Sequence, residues 1–148
     1  MPTSEKYIPS DLRQLVRTRA KGVCEYCRSQ EYFSPQPFSI EHIKPRALGG
    51  QSIAENLAFS CQGCNGHKYI KEQAIDPLTG NTVLLYNPRT QQWRAHFAWN
   101  ANATLIVGLT PIGRATVEVL RLNRPELINL RSVLYAAQKH PPSELGAE

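Results

Sequence analysis

The sequence predicts an α+β fold organised around a small metal-stapled unit. Three observations carry this reading. All four cysteines fall in two Cys-x-x-Cys pairs, Cys24/Cys27 and Cys61/Cys64. Between and around those pairs the hydrophobic pattern runs strand, loop, strand, helix. Helical apolar spacing flanks that unit on its N-terminal side and recurs in the last third of the chain. At 148 residues with a fifth of them charged, the chain has the size and composition of one folded domain, residues 1–148, and wholesale disorder is excluded.

The elements follow in order. Pro9-Ser10-Asp11 predicts a helix start, with Ser10 or Asp11 capping free amides. Leu12, Leu15, Val16 and Arg19 come next at helical spacing, and Gly22 can close the helix in the left-handed conformation. Cys24 and Cys27 form a tight knuckle; residues 30–37, broken by Pro35 and Pro37, read as loop. Residues 38–42 alternate apolar and polar as a short strand does. A loop holding Pro45 and Gly49-Gly50 leads past Asn56 to a second apolar run at 57–59, and a helix is predicted over 65–73. After a turn at 76–81, residues 82–86 and 93–99 are expected to pair as strands through Asn87-Pro88, with 105–107 as a further strand. Thr110-Pro111 and Arg124-Pro125 start the last two helices, to about 120 and 139, because proline fits the first helical position, where its missing N–H costs little. The tail, 141–148, is expected to fray.

The formal charge of +5 and a pI near 9.2 point to a polyanionic partner, since Lys and Arg that neutralise phosphates release condensed counterions. A merely soluble basic surface is the alternative. The first 21 residues lack the apolar core of a secretory signal, and nowhere do roughly 18 apolar residues run together, so a cytoplasmic protein is expected. Thiols stay reduced there, and four cysteines read as metal ligands before they read as disulfides. Two pairs supply four thiolates to one tetrahedral zinc, a closed structural site with no position for substrate. A redox dithiol protein is the rival explanation, and it predicts disulfides and no zinc.

Within that frame, Glu41-His42-Ile43-x-Pro45, Gly49-Gly50, Asn56-Leu57 and Cys61-x-x-Cys64-Asn65-x-x-Lys68 resemble the HNH endonuclease family. More narrowly they resemble its subgroup whose ββα-metal fold is clamped by four cysteines. The resemblance spans residues 24–71, leaving an N-terminal helix and a C-terminal extension of hairpin plus helices over 81–139. It implies metal-dependent hydrolysis of DNA phosphodiesters, leaving 5′-phosphate and 3′-hydroxyl ends, with nicking of low sequence specificity. His42 would be the general base, a task suited to an imidazole whose unperturbed pKa is about 6.5. Glu41 and Asn65 would hold the catalytic Mg²⁺ or Mn²⁺ with hard oxygen ligands. Glu41 stands where Asp is the commoner choice in the family, which lengthens the ligand arm. His67 reads as an additional ligand, a phosphate contact or an ordinary exposed histidine. Asn56 is expected to brace the loop after His42 rather than to bind metal.

Lys44, Arg46, Lys68 and Lys71 flank the expected site and read as contacts to the DNA backbone, with a solvated rim as the alternative. By resemblance the ββα unit approaches the minor groove, where base discrimination is degenerate. Trp93, Phe97 and Trp99 read as core ahead of base stacking, and the extension is expected to pack on the ββα unit. The rival function is a non-catalytic zinc-stapled module that binds nucleic acid. That module would need the cysteines and the charge but not a convergence of Glu41, His42 and Asn65. RNA as substrate, and monomer against dimer, stay open at this point.

Overall fold

In the computed structural model, which describes residues 8–142, the first helix α1 (Ser10–Arg19) starts one step earlier than its polar residues suggest. Pro9 occupies the cap position in an extended conformation, Ser10 is already helical, and no side chain caps the end. The expected capping by Ser10 or Asp11 is thereby corrected: Asp11 Oδ1 accepts only from the adjacent Leu12 N, at 2.9 Å. At the other end Lys21 and Gly22 both turn left-handed, φ 56° and 73°. The helix buries Val16, and Arg19 donates to the carbonyls of Ala54 (2.7 Å) and Leu57 (2.6 Å), fixing α1 to the unit that follows.

That unit is β1 (Ser39–His42) and β2 (Leu57–Ser60), antiparallel with Ser39 opposite Ser60 and His42 opposite Leu57, followed by α2 (Gln62–Lys68). Every residue of both strands is buried, because α1 covers the pair and α2 packs on β1. The cysteine knuckle extends the layer: Glu25 N donates to Phe59 O, and Phe59 N to Glu25 Oε2, both at 2.9 Å. The helix α2 runs from Gln62 to Lys68, not from 65 to 73. Cys61 caps it early by accepting Cys64 N on its sulfur (3.4 Å), and a turn at Tyr69 ends it.

Beyond α2 the pairing differs from the expected hairpin. β3 (Gln73–Ile75), a strand the sequence reading placed partly in a helix, pairs with β4 (Thr82–Leu84). The nearer partner closes the shorter loop, at lower entropic cost. Residues 93–96 are a single helical turn, α3 (Trp93–His96), and only then does β5 (Phe97–Trp99) pair with β6 (Ile106–Gly108). Trp93 and Phe97 stand four apart as well as at even spacing, so the same apolar residues satisfy both periods. Both are buried, and Trp93 Nε1 donates to Tyr26 O at 3.0 Å, tying this region to the knuckle. These rings are core, as the sequence favoured.

The last helices are α4 (Pro111–Val119), capped by Thr110 Oγ1 accepting Gly113 N at 3.0 Å, and α5 (Pro125–Ala136), which stops short of 139. Arg114 grips both oxygens of buried Asp76 at 2.9 Å each and pins the β3–β4 turn to α4. One hydrophobic cluster joins Ile8 and Val16 to Ile40 and Phe59 and onward to Trp93, Leu120 and Leu127. The extension and the ββα unit therefore share a core. Most of the tail expected to fray, residues 143–148, lies outside the described residues. Among the described residues no helix is long and apolar enough to cross a membrane.

Candidate active site

The four cysteines come together although 33 residues lie between Cys27 and Cys61. All four are buried, and their sulfurs lie within 4.8 Å of one another, Cys27 Sγ and Cys61 Sγ at 3.6 Å. A tetrahedral zinc with bonds of about 2.3 Å sets its sulfurs roughly 3.8 Å apart, so the cluster has the size and the donors such an ion needs and could hold one. Two further features suit four thiolates. Backbone amides point at sulfur, Cys27 N to Cys24 Sγ and Cys64 N to Cys61 Sγ. Arg124, from the start of α5, places its guanidinium on the same pair's far side, Nη2 3.4 Å from Cys61 Sγ and Nη1 3.7 Å from Cys64 Sγ. Gly63 makes room for it: a Cβ there would lie 2.4 Å from Arg124 Nη2.

Glu41, His42 and Asn65 line one cleft of about 240 Å³, with Arg46 and Tyr69 among its other lining residues; no cysteine lines it. Neighbouring residues of a strand leave on opposite faces. Accordingly Glu41 meets Tyr26 and Lys68, whereas His42 Nε2 sits 2.8 Å from Ser52 Oγ. Burial, with the positive charges of Arg46 and Lys68, holds the His42 imidazole below its ordinary pKa, so it stays neutral to lower pH than a free histidine. Asn65 is half-buried on α2, one turn before Lys68, so both face β1.

The loop that carries Ser52 is held by Asn56. Its Oδ1 accepts Lys44 N (2.8 Å), and its Nδ2 donates to the carbonyls of Lys44 (3.0 Å) and Gln51 (2.9 Å). Gly50 is required by the same closure, because a Cβ there would stand 1.7 Å from Lys44 O.

Of the residues singled out from sequence, Lys68 lands elsewhere than expected, and Glu41 and His67 have surroundings that the sequence does not announce. Lys68, expected to reach DNA, is 1% exposed. Its Nζ pairs with Glu41 Oε2 (2.9 Å) and donates to Ile43 O (2.9 Å) and His42 O (3.2 Å), so its charge is committed inside the protein. Glu41 correspondingly has a partner on each oxygen: Tyr26 donates to its Oε1 at 2.5 Å while Lys68 holds the other, which leaves about two of its four lone-pair positions. Burial pushes the Glu41 carboxyl upward, against the pull of Lys68 and the Tyr26 hydroxyl. His67 does not line the cleft; burial and the nearby charges of Arg124 and Arg121 lower its pKa, and cationic surroundings do not suit a metal ligand. Lys44, Arg46 and Lys71 are exposed, with Lys44 3.4 Å from Glu72 and Arg46 at the cleft.

Sequence reasoning missed Tyr26, Ser52 and Arg124. Nothing local marks Ser52 or Arg124; Tyr26 carries a weak signal, as an aromatic inside a Cys-x-x-Cys knuckle.

Two short antiparallel strands, a helix closing on them and a four-cysteine clamp define a ββα unit with room for one structural metal. Residues 24–71, about a third of the 148 residues, match the family model described as HNH endonuclease. No curated protein and no solved structure matches the chain.

Proposed function

We propose that the protein is a metal-dependent endonuclease that hydrolyses DNA phosphodiester bonds, nicking with low sequence specificity, with His42 as general base. That Glu41, His42 and Asn65 line one cleft that no cysteine lines is the observation that carries this reading. Cys24, Cys27, Cys61 and Cys64 hold a structural zinc that fixes the strands and helix around that cleft.

A divalent ion such as Mg²⁺ or Mn²⁺, when bound, offsets the charge that builds on the phosphate and on the leaving 3′-oxygen. Asn65 would hold it through its side-chain oxygen and Glu41 through carboxylate lone pairs. A carboxylate offers about four such positions, and Tyr26 and Lys68 take two. His42 accepts the proton of the attacking water. The 2.8 Å bond between Nε2 and Ser52 Oγ fixes the ring direction, and in the tautomer that donates Nε2–H to Ser52 the Nδ1 lone pair is the one that takes the proton. Arg46, at the cleft, and exposed Lys71 hold the phosphate backbone on either side without reading sequence.

The test is cleavage of supercoiled plasmid with Mg²⁺ or Mn²⁺ against a chelator control. Metal-dependent conversion to nicked circles is expected. Tight DNA binding with no cleavage of duplex, nicked, branched or single-stranded substrates would instead establish the binding module.

Glu41 and Lys68 give a separate prediction. Lys68→Met leaves a carboxylate buried without its cation, which destabilises by roughly 3–5 kcal/mol. Thermal melts should show that loss in full without divalent ions and reduced in Mg²⁺ or Mn²⁺, since an ion at Glu41 restores the missing charge. A loss that is the same in both conditions would rule Glu41 out as a ligand.

A further inference from the structure

Tyr69 occupies a backbone conformation its side chain does not favour. Its φ of 50° and ψ of −121°, with Lys71 N donating to Lys68 O at 2.9 Å, make it the first central residue of a type II′ turn. Glycine is the usual occupant of that position, because a Cβ is crowded there. The ring does not repay the strain by packing. Tyr69 is 70% exposed, and among the described residues its hydroxyl makes no hydrogen bond and its ring has no aromatic partner. It stands instead at the cleft that His42, Asn65 and Arg46 line, with its amide bonded to Asn65 O at 2.9 Å. A strained, exposed side chain beside reacting groups points to a ligand contact.

We propose that Tyr69 stacks on an unpaired nucleobase next to the scissile phosphate, so that the preferred substrate is DNA with unstacked bases rather than intact duplex. This rests on the nuclease reading of the cleft. In a duplex each base has both faces covered by its neighbours, and a side chain reaches only base edges and sugars. An unpaired base presents a free π-face. Stacking on an aromatic ring is tolerant of sequence, because every base has such a face. Tyr69 therefore adds affinity for one form of substrate without adding sequence preference.

The experiment measures binding of a labelled single strand and of the corresponding blunt duplex, with Mg²⁺, in full-length His42→Ala protein carrying Tyr69, Tyr69→Phe, Tyr69→Leu or Tyr69→Gly. Single strands are expected to bind more tightly than duplex. Tyr69→Leu and Tyr69→Gly should weaken single-strand binding roughly 5- to 150-fold while leaving duplex binding unchanged, and Tyr69→Phe should recover what Leu loses. Thermal melts supply a second readout: Tyr69→Gly should raise Tm, because glycine suits the turn, even as affinity falls. Unchanged single-strand binding by Tyr69→Leu overturns the proposal, as does a Tyr69→Gly protein that loses Tm and binds both forms equally less well. Cleavage by the His42-intact proteins separates the two readings. If no DNA form is cut, the nuclease reading fails while the binding data still decide on Tyr69. If single strands are cut equally with and without the ring, only the role of Tyr69 fails.

Discussion

A folded His42→Ala protein with its cysteine site loaded is expected to cleave plasmid DNA slower than wild type by at least the roughly 10²–10⁴-fold that general-base catalysis supplies. The residue is 8% exposed at a strand end, lines the cleft, bonds Ser52 and lies outside the hydrophobic cluster, so its truncation removes the proposed proton acceptor and no cluster side chain. The pH dependence follows from its surroundings. Burial, Arg46 and Lys68 lower its pKa, and a base works only when neutral. Activity should therefore rise with pH through a point below about 6.5 and be level at neutral pH as far as this group is concerned. The measurement is single-turnover nicking across pH for wild type and His42→Ala, with zinc content and melts showing that the variant is folded. Equal rates in the two proteins would assign the base elsewhere.

Stripping the cysteine site is expected to have the largest effect on stability. Structural zinc in small peptides binds with apparent free energies of about 10–16 kcal/mol, comparable with the whole stability of a domain at roughly 5–15 kcal/mol. Here the clamp joins a knuckle and a helix start across a two-stranded sheet of four residues per strand, a size that is marginal alone. Arg124 adds to the dependence. Its guanidinium lies against Cys61 and Cys64, and four thiolates on a divalent ion leave net negative charge for it to offset. Cys61→Ser, or a chelator strong enough to compete with thiolates, should abolish cooperative unfolding of residues 24–71 and loosen the start of α5. Elemental analysis should find one zinc per wild-type chain, and circular dichroism melts with and without chelator should separate widely. A cooperative melt unaffected by metal removal, or cysteines found as disulfides, would overturn the zinc reading and favour the redox alternative.

Much of the site was legible in the sequence because its chemistry is written in short spacings. Two Cys-x-x-Cys pairs need no tertiary knowledge to suggest four thiolates. His42 and Asn65, at a strand end and after a cysteine pair, carry recognisable residue types at recognisable separations. Asn56 likewise belongs to a local loop, and its three hydrogen bonds reach no further than Lys44. Secondary structure was legible where one period dominated, as in α1, β1 and α4. It was not where one set of residues fits two periods, as at Trp93 and Phe97, nor where a strand is three residues long, as in β3.

By itself, then, the sequence determined the four-cysteine set, the candidate residues of the cleft and the order of the ββα unit, since those depend on residue identity and near neighbours along the chain. Only the tertiary structure decided what became of the charges. Lys68 reads from sequence as a surface cation, yet the packing of α2 on β1 buries it against Glu41, and Tyr26 arrives from the knuckle to complete that pair. Arg124 reaches the sulfurs from about sixty residues away, through a gap that exists because position 63 has no side chain. Whether an ionisable group faces water, an ion partner or a metal depends on which distant segments close over it, and that is a property of packing that no local pattern encodes.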